Sequence, residues 1–159
     1  MGIAIFKLFE DYEKNVTEKE LIYFRTRLYF KLTNSGYDCV LFTNGLLADY
    51  EAILKLKEHI GLKNEQIMPR PENVEELTKI IGNLDGAIVT RLHASIIAYS
   101  YKIPTVGLIW NDKQSMFGTS IGHSERFVEW PFNEDELIDI LENALKVNEE
   151  IDYEYCNST

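Results

Sequence analysis

Cationic side chains are scarce in this sequence: 16 lysines and arginines stand against 26 aspartates and glutamates, a formal net charge of −10. A nucleic-acid partner needs a basic face to meet its phosphates, so the balance argues against that class of function. It does not exclude a small anionic ligand, which responds to the local field of a cleft. Cysteine is scarcer still. Cys39 lies in an apolar strand pattern and Cys156 in a polar tail, and the two outline neither a structural disulfide nor a zinc site. No apolar run approaches the roughly 20 residues of a membrane span. No signal-peptide pattern precedes the first strand, so the chain reads as cytosolic. Asn15-Val16-Thr17 and Asn157-Ser158-Thr159 match the glycosylation sequon, and without a secretion signal they read as chance matches.

Familiar ligand-binding signatures are missing as well. "FKLFEDYE" follows the first strand where a dinucleotide fingerprint would need GxGxxG. There is no P-loop, no GxSxG elbow and no metal-ligand spacing, so neither a cofactor nor a metal is expected. What is present is a core: 159 residues, 45% apolar and 12% aromatic, are enough for one folded domain.

Ile3 to Phe9 reads as a strand. Thr17-Glu18-Lys19-Glu20 is a capping box, and Leu21, Phe24, Leu28 and Leu32 follow at helical spacing up to Gly36. Tyr37 to Thr43 is a second strand, and a helix over about Leu47 to Ile60 presents Tyr50, Ile53, Leu56 and Ile60. Gln66 to Pro69 reads as a short third strand. Asn73 and Glu76 cap a helix whose Val74, Leu77, Ile80 and Ile81 are expected to face inward. Ala87 to Thr90 and Pro104 to Trp110 are strands four and five, separated by a helix from His93 to about Tyr101. A short helix follows Asp112, Arg126 to Trp130 is a sixth strand, and Asn133 caps a last helix with Leu137, Ile140, Leu141, Ala144 and Leu145 on one stripe. Residues 1–150 form the domain, and the acidic tail, residues 151–159, is expected to fray.

Strands alternating with helices predict an α/β fold, a Rossmann-like doubly wound parallel sheet of about six strands in the order 3-2-1-4-5-6. Ligands bind such sheets at the carboxyl ends of the strands where the winding reverses, between strands one and four. Arg91 and His93 follow strand four, and Lys113 follows the next strand.

The helix after Arg91 has no obvious Ser, Thr, Asp or Asn cap directly before it, and Ala94 and Ser95 are small enough to let a ligand approach its leading amides. Such a helix start suits an anion, and an arginine beside it adds a fork for carboxylate or phosphate. The plain alternative is that Arg91 pairs with a nearby acid and Thr90 or water caps the helix. His93 has a pKa range suited to proton transfer; its plain alternative is a packed residue with one satisfied nitrogen. Asp112 reads as an N-cap, and Lys113, just inside the helix start, opposes the dipole until an anion arrives. Arg126 is a further candidate ligand contact, explained equally well by a surface ion pair. His59 ends a helix, where a cation is favourable anyway. His123, in "GTSIGHSER", is an outside candidate on a loop.

Arg91-Leu92-His93-Ala94, Ile103-Pro104-x-Val106 and Trp110-x-Asp112-Lys113, together with the upstream "RPENVEELTKIIGNLDGAIVT", resemble the polysaccharide pyruvyl transferase family from Pro69 to about Arg126. The resemblance implies two domains in a glycosyltransferase-B-like arrangement, of which this chain matches the C-terminal one, with the N-terminal domain of the parent as its missing partner. Met1-Gly2 directly before a strand fits an excised domain. It implies transfer of the pyruvyl unit of phosphoenolpyruvate to two hydroxyls of a glycan acceptor as a ketal, with release of phosphate. His93 takes the active-site histidine's place, and Arg91 and Lys113 bind the donor. Two other readings share the fold: a sugar-nucleotide glycosyltransferase donor domain, and a binding or interaction domain without chemistry.

Overall fold

The computed structural model describes residues 1–4, 17–109 and 112–158. Five parallel strands, β1 (Gly2–Ala4), β2 (Val40–Phe42), β3 (Ala87–Val89), β4 (Thr105–Ile109) and β5 (Phe127–Glu129), form one sheet in the order β2-β1-β3-β4-β5. This is the expected winding with one strand fewer. The expected third strand is reduced to a single parallel bridge, Leu41 to Ile67, after a 3-10 turn over Asn64–Gln66. Met68 N donates to Leu41 O at 2.9 Å, but Pro69 and Pro71 follow, and proline brings no N–H to extend a ladder. Of the expected first strand, residues 5–9 lie outside the described residues, as do Trp110 and Asn111.

The helices form two layers. α1 (Glu18–Asn34), α2 (Leu47–Ile60) and α6 (Glu134–Ser158) lie with a core of Leu28, Leu32, Leu41, Ile53, Ile88, Leu137 and Leu141. α3 (Val74–Gly82), α4 (Leu92–Ser100) and α5 (Asp112–Ser120) cover the other face, where Phe42, Leu77, Ile81, Ala87, Val89 and Ala98 pack. Ile88 serves one core and its neighbours Ala87 and Val89 the other, as alternation along a strand buried on both faces requires.

Local signals fix the helix ends. Glu20 N donates to Thr17 Oγ1 at 3.1 Å and Thr17 N to Glu20 Oε2 at 3.0 Å, the expected capping box. Asn73 Oδ1 accepts from Glu76 N at 2.9 Å. Val74 corrects the expected inward stripe, since it is 71% exposed at the first position of α3 while Leu77 and Ile81 are buried. α6 is assigned as far as Ser158. Among the described residues no helix is long and apolar enough to cross a membrane.

Candidate active site

Because all strands are parallel, the residues following them collect at one edge of the sheet. That carboxyl edge holds Thr43 to Leu46 after β2, Thr90 to His93 after β3, and Asp112 and Lys113 after β4. β1 and β3 are neighbours, so the reversal of winding falls beside Arg91. Arg91 is the N-cap of α4, in extended backbone with φ −94° and ψ 143°; its side chain makes no capping bond, and no acidic residue occupies the first turn. The leading amides of α4 thus meet the edge with the positive end of the helix dipole behind them.

The Arg91 guanidinium reaches across the edge to the other helix layer. Nε donates to Asp49 Oδ2 at 3.0 Å and Nη2 to Asp49 Oδ1 at 3.1 Å, a bidentate pair with α2. Asp49 is fully buried, and the Arg91 side chain is 27% exposed. The plain alternative for Arg91, a nearby acid, is therefore realised. The pair uses two of a guanidinium's five N–H groups. Arg25 of α1 is also buried here. Burial lowers its pKa to about 10, against the opposing attraction of Asp49 and Glu18. Asp49 is thus a buried carboxylate within the field of two arginines, and it ties the layers together over the switch point.

A second buried link stands behind α4. Ser95 Oγ donates to Gln114 Oε1 at 2.9 Å, and Gln114 Nε2 donates to Thr90 O at 2.5 Å. Ser95, expected on the ligand side, is 1% exposed and supports the helix start from within. Thr90 Oγ1 is buried and has no hydrogen-bond partner among the described residues, an arrangement uncommon in folded proteins.

His93 is exposed in the first turn of α4, which rules out the packed-core alternative. Lys113 is exposed at the second position of α5. Asp112, expected as its N-cap, is instead the first helical residue, and position 111 lies outside the described residues. Arg126 does not join this group. It ends a 3-10 turn, Ser124–Arg126, immediately before β5, and so lies with His123 at the amino edge. β4, five residues long, separates the edges by roughly 16 Å at about 3.3 Å per residue.

Sequence reasoning missed Asp49, Arg25 and Gln114. Asp49 and Arg25 occupy helices whose apolar stripes absorb attention, and only a charged residue at a core-facing helical position signals either of them. Arg70 was missed as well: its Nη1 donates to Gly45 O at 2.9 Å. Gly45 has φ +113°, and a Cβ there would lie 2.6 Å from Pro71 O, so glycine is required for this close approach. Among the described residues no group of three or more His, Cys, Asp or Glu is arranged to hold a metal ion.

The sequence model of the family described as polysaccharide pyruvyl transferase matches residues 10–112, more than half of the chain. The match includes Asp49, Arg70 and the Arg91-Leu92-His93-Ala94 segment, while Lys113, Gln114 and Arg126 fall beyond it. No curated protein and no solved structure matches the chain.

Proposed function

This chain belongs to the polysaccharide pyruvyl transferase family, and on that premise we propose that its carboxyl edge is the donor side of a site that transfers pyruvyl from phosphoenolpyruvate to two sugar hydroxyls. The observation that carries the reading is the start of α4: leading amides without a capping side chain, Arg91 beside them, the Thr90 hydroxyl with no partner among the described residues, and His93 exposed in the first turn. A phosphate and a carboxylate need such donors. Arg91, held in place by Asp49, and Lys113 supply positive charge where the donor's anionic groups dock.

His93 acts as the acid/base. A proton is delivered to the methylene carbon of the donor, and C2 becomes oxocarbenium-like. A sugar hydroxyl oxygen bonds to C2 and gives up its proton. Phosphate then leaves with the C2–O bond electrons, and the second hydroxyl bonds to C2 to complete the ketal. Two hydroxyl protons are lost in all; one balances the methyl group and the other the released phosphate. His93 is placed to move these protons.

The acceptor needs a second wall, which the N-terminal domain of a two-domain cytoplasmic parent supplies. Support comes from apolar side chains exposed at the same edge: Leu46 at 48%, Leu47 at 58% and Val74 at 71%. By itself the chain binds the donor weakly and does not turn it over, since an open cleft leaves the anion solvated and the acceptor unoriented.

Titration calorimetry with phosphoenolpyruvate and with a UDP-sugar tests the donor. Binding of the UDP-sugar alone would transfer the site to a glycosyltransferase. Phosphate release on adding glycans is expected only when the chain is joined to its N-terminal domain, and His93→Ala should lower that turnover by about 10²–10⁴-fold. Release by the chain alone at the same rate would overturn the need for a second wall.

A further inference from the structure

α5 is held to the sheet differently from α1 and α3, which bury stripes of leucine, isoleucine and phenylalanine. Its buried residues are Gln114 and Gly118, one helical turn apart, while Met116 is 70% exposed. Gly118 allows a close approach, since a Cβ there would lie 2.6 Å from the Phe127 ring. Gln114 brings hydrogen bonds where a stripe would bring apolar contact. Leucine or methionine would fill similar space without placing a polar group in the core, and an amide only 1% exposed must satisfy both its ends.

Both ends are used on the start of α4. Nε2 donates to the Thr90 carbonyl, immediately before the N-cap Arg91, and Oε1 accepts from Ser95 Oγ, at the fourth helical position. The partners fix which way the amide faces, because a carbonyl can only accept. They also bracket the site: Arg91, Leu92, His93 and Ala94 are the residues between them. Thr90 is 7% exposed and Ser95 1%, so both bonds are shielded from water. A buried amide with two directional bonds specifies one arrangement of the elements it joins, which apolar contact alone does less sharply. Lys113 directly precedes Gln114, so the same bonds tie the start of α5 to this turn.

We infer that Gln114 is a positioning residue of the carboxyl-edge site, setting where His93 and the leading amides of α4 stand relative to the donor. The inference takes the donor, phosphoenolpyruvate, from the reading above; the linkage itself does not depend on it. Gln114 acts through the turn it grips, so its loss changes affinity for the donor in molecules that remain folded. A residue serving the core alone would change stability and leave that affinity as it was.

The test uses the whole 15N-labelled chain and Gln114→Leu, which keeps the bulk of the side chain and removes both bonds. Titrated with phosphoenolpyruvate, the parent chain is expected to shift the amides of 91–95, and Gln114→Leu should bind about tenfold more weakly. Ser95→Ala removes one of the two bonds and should weaken binding by a smaller factor; it carries the test if Gln114→Leu does not fold. Ile81→Val, in the buried face of α3, is the control. It should lower the urea midpoint and leave the affinity unchanged. Equal affinity in the parent chain and the two α4-linkage variants would overturn the inference. Amide hydrogen exchange reads the linkage without a ligand. In Gln114→Leu the amides of 95–97 should exchange about tenfold faster relative to those of 78–81 in α3. Equal acceleration in both helices would show a role in global stability only, and would also overturn the inference. No shift with phosphoenolpyruvate in the parent chain would instead overturn the donor reading, and the exchange result would still decide whether Gln114 holds the turn.

Discussion

The two edges of this sheet hold their cations in opposite ways. At the carboxyl edge Arg91 forms a bidentate pair with a fully buried Asp49, which also attracts buried Arg25. At the amino edge His123 and Arg126 flank Glu125, whose carboxylate meets His123 Nδ1 at 3.3 Å and is mostly exposed. A cation fixed by a buried carboxylate is part of the fold, and its removal strands a charge in low dielectric. A cation paired with an exposed carboxylate contributes little to stability. Charge alone therefore does not identify a binding residue. The surroundings of the charge do.

Asp49→Ala attacks the comparison at its strongest point. It leaves Arg25 and Arg91 without their buried counter-charge, and urea unfolding should show a loss of about 3–5 kcal/mol. A loss below 1 kcal/mol would mean that water reaches the pair. Arg91→Ala should also destabilise, whereas a reading of Arg91 as a cleft residue alone expects little change. Gln114→Ala is next. It removes the partner of Ser95 Oγ and of Thr90 O, and the two buried groups should cost about 1–3 kcal/mol.

The amino edge should respond differently. Lys102→Gly relieves the left-handed backbone (φ 56°) and should raise stability by about 1 kcal/mol, seen as a higher urea midpoint. A lower midpoint would show that the Lys102 side chain contributes more than its backbone conformation costs. The smallest effects belong to His93→Ala and Arg126→Gln, both expected within about 0.5 kcal/mol of the parent chain. A large drop in melting temperature for either would contradict its placement outside the core.

The sequence disclosed those features whose causes are local. The Thr17-Glu20 capping box, the Asn73 cap and the Leu47–Ile60 helix are set by residues within a few positions of one another, and all three are observed. The alternation of strands and helices predicted the order 3-2-1-4-5-6, and the sheet β2-β1-β3-β4-β5 keeps that winding without the third strand, because parallel strands with right-handed crossovers leave few topologies. The third strand was overread because an apolar run does not show that two prolines will deny it a ladder. Val74 was overread because helical spacing does not reveal which side of a stripe's edge a first-turn residue falls on.

The residues that set the fold class and brought Arg91 and His93 to one edge acted through chain order alone, so the sequence by itself determined them. Only the tertiary structure decided what those residues touch. Asp49 and Arg91 are 42 positions apart, Ser95 and Gln114 are 19 apart, and neither spacing carries a periodic signal. Arg126 is a cation near a strand, like Arg91, yet it precedes its strand where Arg91 follows one, and strand direction sends them to opposite edges. A pattern of residue types records which groups can be buried. Whether a charge is locked against a buried partner or paired at the surface depends on distances between elements, and packing sets those distances.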